Sequence, residues 1–289
     1  MTNVVQLQNY REDFNANSPI FFPVKTVAEI DIIDQDGRSF NSDGFQAVVN
    51  EDTGDTIGIH GSSYKLTPNA EIFPAFDEAL KTSSLDLTDL KVKDEISHDG
   101  GRTFRQYFFP AHMAAVKDSS DEIMLRLLVN TSYDGSSALK FQFGAFRMVC
   151  SNGMIVGTKF AQAYGKNTLN LKVNRIVTQL AAGIKGYLDE TQQWIKWASN
   201  QITDAQATSV IQALPGINKK LEEKLQLMWK DEKDELGATQ WALFNALTYW
   251  SSHDEVRQSR EANRPSIINQ REERVRRTIT SRPFLALAA

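Results

Sequence analysis

The sequence predicts an α+β protein, with an antiparallel β-meander that includes a β-β-β-α unit in its N-terminal half and helices in its C-terminal half. Between residue 20 and about residue 160, alternating apolar and polar runs are separated by short turns, as in an antiparallel sheet. From about residue 168 onward, apolar residues recur at helical spacing. We predict a β-rich domain with one short helix over 1–165, a helical region packed on it over 166–256, and an arginine-rich helix or tail over 257–289.

The first strands are predicted to form acidic hairpins. Ile32 and Ile33 lead into Asp36-Gly37, a dipeptide that tolerates the positive φ of a tight turn, and a second turn is predicted at 52–55. One arginine, Arg38, stands against eight acids here, so the local charge is −7. The acids are Glu29, Asp31, Asp34, Asp36, Asp43, Glu51, Asp52 and Asp55. A phosphate backbone is therefore not expected to bind this segment.

The β-β-β-α unit follows a short helix predicted at 70–81, for which Asn69 is the candidate N-cap. Asp134-Gly135 suits the turn between the second and third strands of the unit. The unit is predicted to consist of strands at 102–112, 122–130 and 138–149 and a helix at 169–188.

The rest of the C-terminal half is predicted to be helical, with helices at 187–200, 203–214, 217–229 and 239–253. Thr203 and Asp204 offer an N-cap, and Pro215-Gly216 ends that helix. Four tryptophans lie on amphipathic helices, and we predict that they pack in the core or between subunits rather than stack on bases. They are Trp194, Trp197, Trp241 and Trp250.

The segment 257–282 is strongly basic, because eight arginines stand against three glutamates and give a local charge of +5. On a helix, Glu272 with Arg276 and Glu273 with Arg277 would form pairs four residues apart and neutralise part of this charge. The surplus leaves two alternatives open, a polyanionic partner and a solvated helix face.

The whole chain has a formal net charge of −4, which argues against a globally basic protein but not against a local basic face. Cys150 is the single cysteine, so no disulfide can form within the chain. The N-terminus lacks the pattern of a signal peptide, and no window approaches about 18 uninterrupted apolar residues. We therefore expect a cytoplasmic protein with no membrane partner.

Three segments carry a resemblance to a known family. The first is Gly58-Ile-His-Gly-Ser-Ser-Tyr-Lys-Leu66, followed by Asn69, Glu71 and Phe73. The second and most specific is Asn130-Thr-Ser-Tyr-Asp-Gly-Ser-Ser-Ala138, followed by Arg147-Met-Val-Cys-Ser-Asn-Gly153, and the third is 239–249 with His253. Together they resemble the bacteriophage and plasmid proteins grouped as "domain of unknown function 932". Tyr133 stands where that family commonly has a histidine, which argues against a catalytic role at this position.

The patterns of common catalytic sites do not occur in the sequence. The histidines do not pair with one another or with Cys150 at ligand spacing, so no metal is predicted. Neither glycine-rich phosphate motif occurs, nor does a nucleophile elbow. Cys150 follows an apolar strand, which favours packing over reactivity. No catalytic residue and no cofactor are predicted, and Arg147 either pairs with a carboxylate such as Asp134 or faces a ligand groove.

The leading hypothesis is a phage protein that binds single-stranded DNA and promotes annealing in recombination or replication, as a homo-oligomer. The β-β-β-α order is that of strand-annealing recombinases, and basic residues lie on or near the unit and in the tail. A groove of this kind holds phosphates and leaves bases exposed for pairing. The candidate residues are Arg126, Lys140, Arg147, Lys159, Lys166, Lys172, Arg175, Arg271, Arg274, Arg276 and Arg277.

An alternative hypothesis is a non-enzymatic protein that binds and modulates a host protein. The acidic N-terminal segment and the basic C-terminal tail would then be its docking surfaces. A metal-dependent nuclease is a third hypothesis, although no spaced pair of carboxylates stands out to support it.

Overall fold

The computed structural model describes residues 8–9, 18–83, 85–116, 121–147, 152–155, 163–165 and 173–288. The strands within these ranges are β1 (Gln8–Asn9), β2 (Val24–Ile33), β3 (Ser39–Asn50), β4 (Thr56–Gly61), β5 (Lys91–Ser97), β6 (Arg102–Ala115), β7 (Glu122–Ser132), β8 (Leu139–Arg147), β9 (Asn152–Ile155) and β10 (Ala163–Gly165). The α-helices are α1 (Asn69–Lys81), α2 (Val173–Ser199), α3 (Asp204–Gln212), α4 (Lys219–Leu236), α5 (Gln240–His253), α6 (Arg264–Ile279) and α7 (Arg282–Leu285).

The larger sheet is antiparallel, with strand order β1-β5-β6-β7-β8-β10, and β9 also pairs with β8. Strands β6, β7 and β8 are the three predicted strands, and the predicted α+β class is confirmed. Strand β5 was not predicted. Its apolar series, Val92 and Ile96, is interrupted by Asp94, so the alternation that signals a half-buried strand is broken.

The smaller sheet has the order β2-β3-β4, and both predicted turns are present. Gly37 and Gly54 each adopt a φ of +77°, which favours glycine. Gly58 on β4 lies so close to Tyr133 that an added Cβ would come within 2.6 Å of the Tyr133 carbonyl oxygen. The Nε2 atom of His60 lies 2.7 Å from the same oxygen. These contacts join the first two segments of the family resemblance and hold the smaller sheet against the larger one.

The prediction of Asn69 as the N-cap of α1 is wrong, because Pro68 occupies that position and Asn69 is the first helical residue. The Asn69 side chain is buried and bonds across the fold instead. Its amide nitrogen donates to the Ile20 carbonyl and to the Thr103 hydroxyl, each at 3.0 Å. Its amide oxygen accepts from the Thr131 hydroxyl at 2.7 Å. A buried polar group needs hydrogen-bond partners, and the Asn69 amide finds them in other elements of the fold, so it does not cap the helix.

Tyr133 supplies the missing interaction at the start of α1. Its hydroxyl accepts a hydrogen bond from the backbone N–H of Asn69 at 2.6 Å, and this N–H has no partner within the helix. Burial raises the pKa of Tyr133, so the hydroxyl stays neutral. Tyr133 therefore has a structural role here.

In the helical half, α2 is one helix over a segment predicted as two, and Thr203 caps α3 in a capping box with Gln206. Tryptophans 194, 197, 241 and 250 are all buried, which confirms their predicted place in a core. Helix α2 packs on β8 so closely that a Cβ on Gly183 would come within 2.1 Å of the Phe143 ring. Across the described ranges, no helix combines the length and apolar character needed to cross a membrane.

Candidate nucleic-acid interface

The central strands of the larger sheet have two different faces, because successive side chains of a strand point to opposite sides. Odd-numbered residues of β6 to β8, such as Tyr107, Leu127 and Phe141, lie in the main apolar core with residues of α1 and α2. Even-numbered residues of these three strands point to the other side, and odd-numbered residues of β5 share that side because Lys93 pairs with Gln106. Lys93 contacts Glu95 at 3.0 Å on that side, and Gln106 donates to the same carboxylate at 2.8 Å.

The side opposite the main apolar core carries cations from four adjacent strands, and we call it the basic face. Its cations are Lys91 and Lys93 on β5, Arg102 on β6, Arg126 on β7 and Lys140 on β8. Glu95 and Glu122 are the acids at the corresponding positions of the described strands. The strand register places Phe108 between Lys91 and Arg126, while Phe104 lies beside Glu95. The face therefore combines positive charge with two aromatic rings.

Helix α6 and the turn before it lie on the basic face through polar contacts. The Asn263 side-chain oxygen accepts from the backbone N–H of His98 at 3.1 Å. Arg102 reaches the Ser266 hydroxyl at 3.5 Å. Arg126 donates through Nη1 to Glu272 at 2.9 Å, and both of these side chains are buried. The contacts follow α6 from its start to its middle, so the helix covers part of the face.

The structure brings two of the predicted binding residues, Arg126 and Lys140, to the basic face. Lys140 is half-buried, whereas Arg126 is buried beneath α6 and is not accessible in this arrangement. Arg147 ends β8 and Arg175 lies in the first turn of α2, but their side chains lie outside the described part of the chain. The predicted residues Lys159, Lys166 and Lys172 lie outside it entirely. Asp134 contacts Arg102 at 3.3 Å.

Three members of this face, Lys91, Lys93 and Arg102, were not predicted from the sequence. A signal was present, because Lys91, Lys93 and Glu95 alternate in a strand-like pattern, and so do Arg102 and Gln106. Using that signal required the register between β5 and β6, which pairs Lys93 with Gln106 and Ser97 with Arg102. The sequence alone does not provide this register.

Three of the tail arginines predicted to bind nucleic acid, Arg271, Arg274 and Arg276, have partners within the protein in this structure, and their binding role stays a prediction. Arg271 donates to the backbone carbonyls of residues 254 and 255 at 2.7 and 3.0 Å. Arg274 donates to the Pro215 carbonyl at 2.6 Å, and its guanidinium lies 4.8 Å from the Trp250 ring centre. Arg271 and Arg274 hold α6 to neighbouring segments, because exposed carbonyls at helix ends and aromatic faces attract guanidinium groups. Arg276 instead bonds to Glu273 within α6.

Glu273 takes part in two ion pairs on the surface of α6. Arg276 binds it with two hydrogen bonds of 2.7 Å, and Arg277 contacts it at 3.0 Å. These bonds lower the pKa of Glu273. The predicted pair of Glu273 with Arg277 is confirmed, but Glu272 pairs with Arg126 instead of Arg276. Arg277 remains mostly exposed and is the predicted tail residue best placed for solvent-borne ligands.

An acidic cleft of about 670 Å³ adjoins the Arg102 end of the basic face. It is lined by Asp55, Thr56, Ile57, His98, Asp99, Asp134 and Asn263. His98, Asp99 and Gly100 adopt consecutive positive φ angles of 56°, 50° and 94°. Three carboxylates in one cleft disfavour a phosphate, so a nucleic-acid backbone on the basic face is expected to end here.

No group of three or more metal-ligating side chains that could hold an ion occurs within the described ranges. Cys150 lies outside them, so the alternative roles of its thiol stay predictions.

The comparisons with known proteins give one match. A family model described as "Domain of unknown function (DUF932)" matches residues 56–278, which is most of the chain. Neither the curated proteins nor the solved structures contain a match to this chain.

Proposed function

This chain belongs to the DUF932 family, and we propose that it binds single-stranded DNA on the basic face of the larger sheet. The observation that carries the proposal is the combination of five cations from β5 to β8 with Phe104 and Phe108 on one side of the larger sheet, which contains the β-β-β-α unit. Lysine and arginine neutralise phosphates, and aromatic rings stack on bases of any sequence. A surface with both properties favours a single strand over a duplex, whose bases are already stacked.

The proposal includes strand annealing by a homo-oligomer, in recombination or replication of phage or plasmid DNA in a host cytoplasm. Annealing needs two strands held with their bases accessible, and several copies of one binding face provide this. The check is the molar mass in solution with and without oligothymidylate. Assembly that forms or reorganises on DNA supports annealing, and a monomer in both states removes this part of the proposal.

Binding is tested with a labelled 30-nucleotide oligothymidylate at about 50 mM salt, where electrostatic contacts are strong. The variant Lys91→Gln/Lys93→Gln/Lys140→Gln removes three charges from the basic face. The matched control Lys219→Gln/Lys220→Gln/Lys230→Gln removes three exposed charges from α4. We expect at least about tenfold weaker binding for the first variant and an unchanged affinity for the control. Equal affinities for both variants would remove the basic face from the proposal.

A second candidate function, the docking of another protein, is favoured by the smaller sheet. Val27 and Ile59 both pair with Ala47 in register, and with Phe45 they are exposed on one face of that sheet. Phe40 is also exposed, in the acidic hairpin. Exposed apolar side chains surrounded by carboxylates suit a partner with apolar and basic groups.

The second candidate is tested with Phe45→Ser/Ile59→Ser in a tagged pulldown treated with nuclease. Stoichiometric capture of one protein by the natural chain, lost in the variant, would favour docking over DNA binding.

A further inference from the structure

We infer that α6 acts as an internal competitor for the DNA site, with the Glu272 carboxylate in the position that a phosphate takes on Arg126. The inference rests on the proposed function. Arg126 is 5% exposed and Glu272 is 2% exposed, so DNA cannot reach Arg126 while α6 lies on the basic face. A carboxylate and a phosphate offer a guanidinium the same kind of acceptor oxygens.

The pair between Arg126 and Glu272 is incomplete. Only Nη1 of Arg126 donates to Glu272, and the described residues provide no hydrogen-bond partner for the buried Nε of Arg126 or the second carboxylate oxygen of Glu272. The buried side-chain oxygen of Asn130 on the same strand face also has no such partner. A buried ion pair contributes to stability only when its remaining atoms are satisfied. A phosphodiester of a DNA strand has two non-bridging oxygens, which can accept from both Nη1 and the Nε that the carboxylate leaves without a bond.

The contacts of α6 differ between its two sides. Toward the sheet it makes polar contacts between its first turn and its middle, through Ser266 and Glu272. Toward the helices its C-terminal half buries Val275 and Ile279 in the main core. Polar contacts are exchanged for water or for another polar ligand at small net cost, whereas apolar burial is not. The N-terminal half of α6 is therefore the part that leaves the sheet when DNA binds.

The two phenylalanines of the basic face support the same conclusion. Phe104 is 4% exposed and Phe108 is 1% exposed, so neither can stack on a base in the closed arrangement. Stacking requires a base to reach the ring face. Lys91, Lys93 and Lys140 are half-buried at this face. A strand therefore first meets these lysines, and full binding follows when α6 moves away.

The test compares Glu272→Gln with Glu273→Gln in oligothymidylate titrations. The two glutamates are neighbours on α6, but Glu273 contacts Arg276 and Arg277 and does not contact the sheet arginine. If most molecules have α6 on the basic face, the apparent affinity for DNA equals the intrinsic affinity multiplied by the small fraction of open molecules. Weakening the pair of Arg126 with Glu272 raises that fraction and therefore the apparent affinity. We expect about tenfold tighter binding for Glu272→Gln and no change for Glu273→Gln.

One outcome overturns the competitor role and leaves the proposed function intact. In it, the natural chain binds DNA, the triple lysine variant binds more weakly, and Glu272→Gln binds with the same affinity as the natural chain. Failure of the natural chain and of Glu272→Gln to bind any oligothymidylate contradicts both.

Asn263→Ala provides a second variant in case Glu272→Gln does not fold. It removes the contacts with Ser97 and His98 at the start of α6 and leaves the Arg126 pair in place. Hydrogen exchange provides an independent readout. We expect faster exchange over 264–272 when oligothymidylate is added to the natural chain or to Asn263→Ala. Unchanged or slower exchange over these residues in the DNA-bound protein overturns the inference.

Discussion

Arg105 and Arg126 lie on neighbouring strands of the same sheet, both are buried, and yet their surroundings differ completely. Arg105 points into the apolar core, where Asp94 accepts two hydrogen bonds of 2.8 Å from it. Asp77 lies 3.8 Å away, and the ring centres of Phe21 and Phe73 lie 5.0 and 4.8 Å from the guanidinium. Arg126 points to the other face and donates to Glu272 at 2.9 Å, and its Nε has no partner among the described residues.

The difference separates a side of the sheet whose buried carboxylates have several partners from a side on which some buried polar atoms lack them within the described ranges. On the core side, Tyr107 donates to Asp77 at 2.9 Å and Ser18 donates to Asp94 at 2.6 Å, so the carboxylates have further partners. Burial raises the pKa of Tyr107, which keeps it a donor. On the basic face, donor and acceptor atoms remain without partners among the described residues. This contrast supports the proposal that the first side stabilises the fold and the second binds a ligand.

The largest expected effect is loss of stability in Arg105→Met. The substitution leaves the buried carboxylates of Asp94 and Asp77 without their cation, so the free energy of unfolding should fall by about 4 kcal/mol. Denaturant unfolding monitored by tryptophan fluorescence measures this. A loss below about 1 kcal/mol would show that the core-side pair is not a stabilising element.

Arg126→Met should destabilise the protein by only about 2 kcal/mol, below the usual range for a broken buried pair. The reason is that this pair is already incomplete, because Nε of Arg126 and the second carboxylate oxygen of Glu272 have no partner among the described residues. Denaturant unfolding of this variant beside Arg105→Met gives the difference directly. Equal losses in the two variants would contradict the proposed contrast between the faces.

Gly183→Ala tests the rigidity of the core side. The new Cβ would come within 2.1 Å of the buried Phe143 ring, and overpacking of this kind costs about 1–3 kcal/mol. The better helix propensity of alanine offsets at most about 1 kcal/mol of it. We expect a net loss in thermal unfolding experiments, and a stability at or above that of the natural chain would show that α2 can move away from β8.

Tyr133→Phe should have the smallest effect on stability, about 1 kcal/mol, because one hydrogen bond to the start of α1 is lost and the ring packing remains. Calorimetry measures the change, and DNA affinity should be unaffected. A loss of DNA affinity with unchanged stability would give Tyr133 a role in binding that its contacts do not indicate.

The sequence allowed prediction of the meander, the helices and the burial of the tryptophans, because each depends on local periodicity. The chemistry of the arginines was not predictable in the same way. Arg126, Arg271 and Arg274 are polar residues in the sequence, and only the packing of α6 against the sheet and helices decides that they bond internally. Strand β5 was not predicted for a related reason. Asp94 is buried because it pairs with Arg105, and it therefore lies between Val92 and Ile96 at a position where a buried strand usually has an apolar residue.

The central claim is tested most directly by the salt dependence of oligothymidylate binding. For single strands, the logarithm of the affinity falls with the logarithm of the salt concentration, with a slope of about −0.7 for each phosphate neutralised. If Lys91, Lys93 and Lys140 each contact a phosphate, their replacement by glutamine should make the slope less steep by about 2. The Lys219, Lys220 and Lys230 control should keep the natural slope. Identical slopes for the natural chain and the basic-face variant would contradict DNA binding on this face.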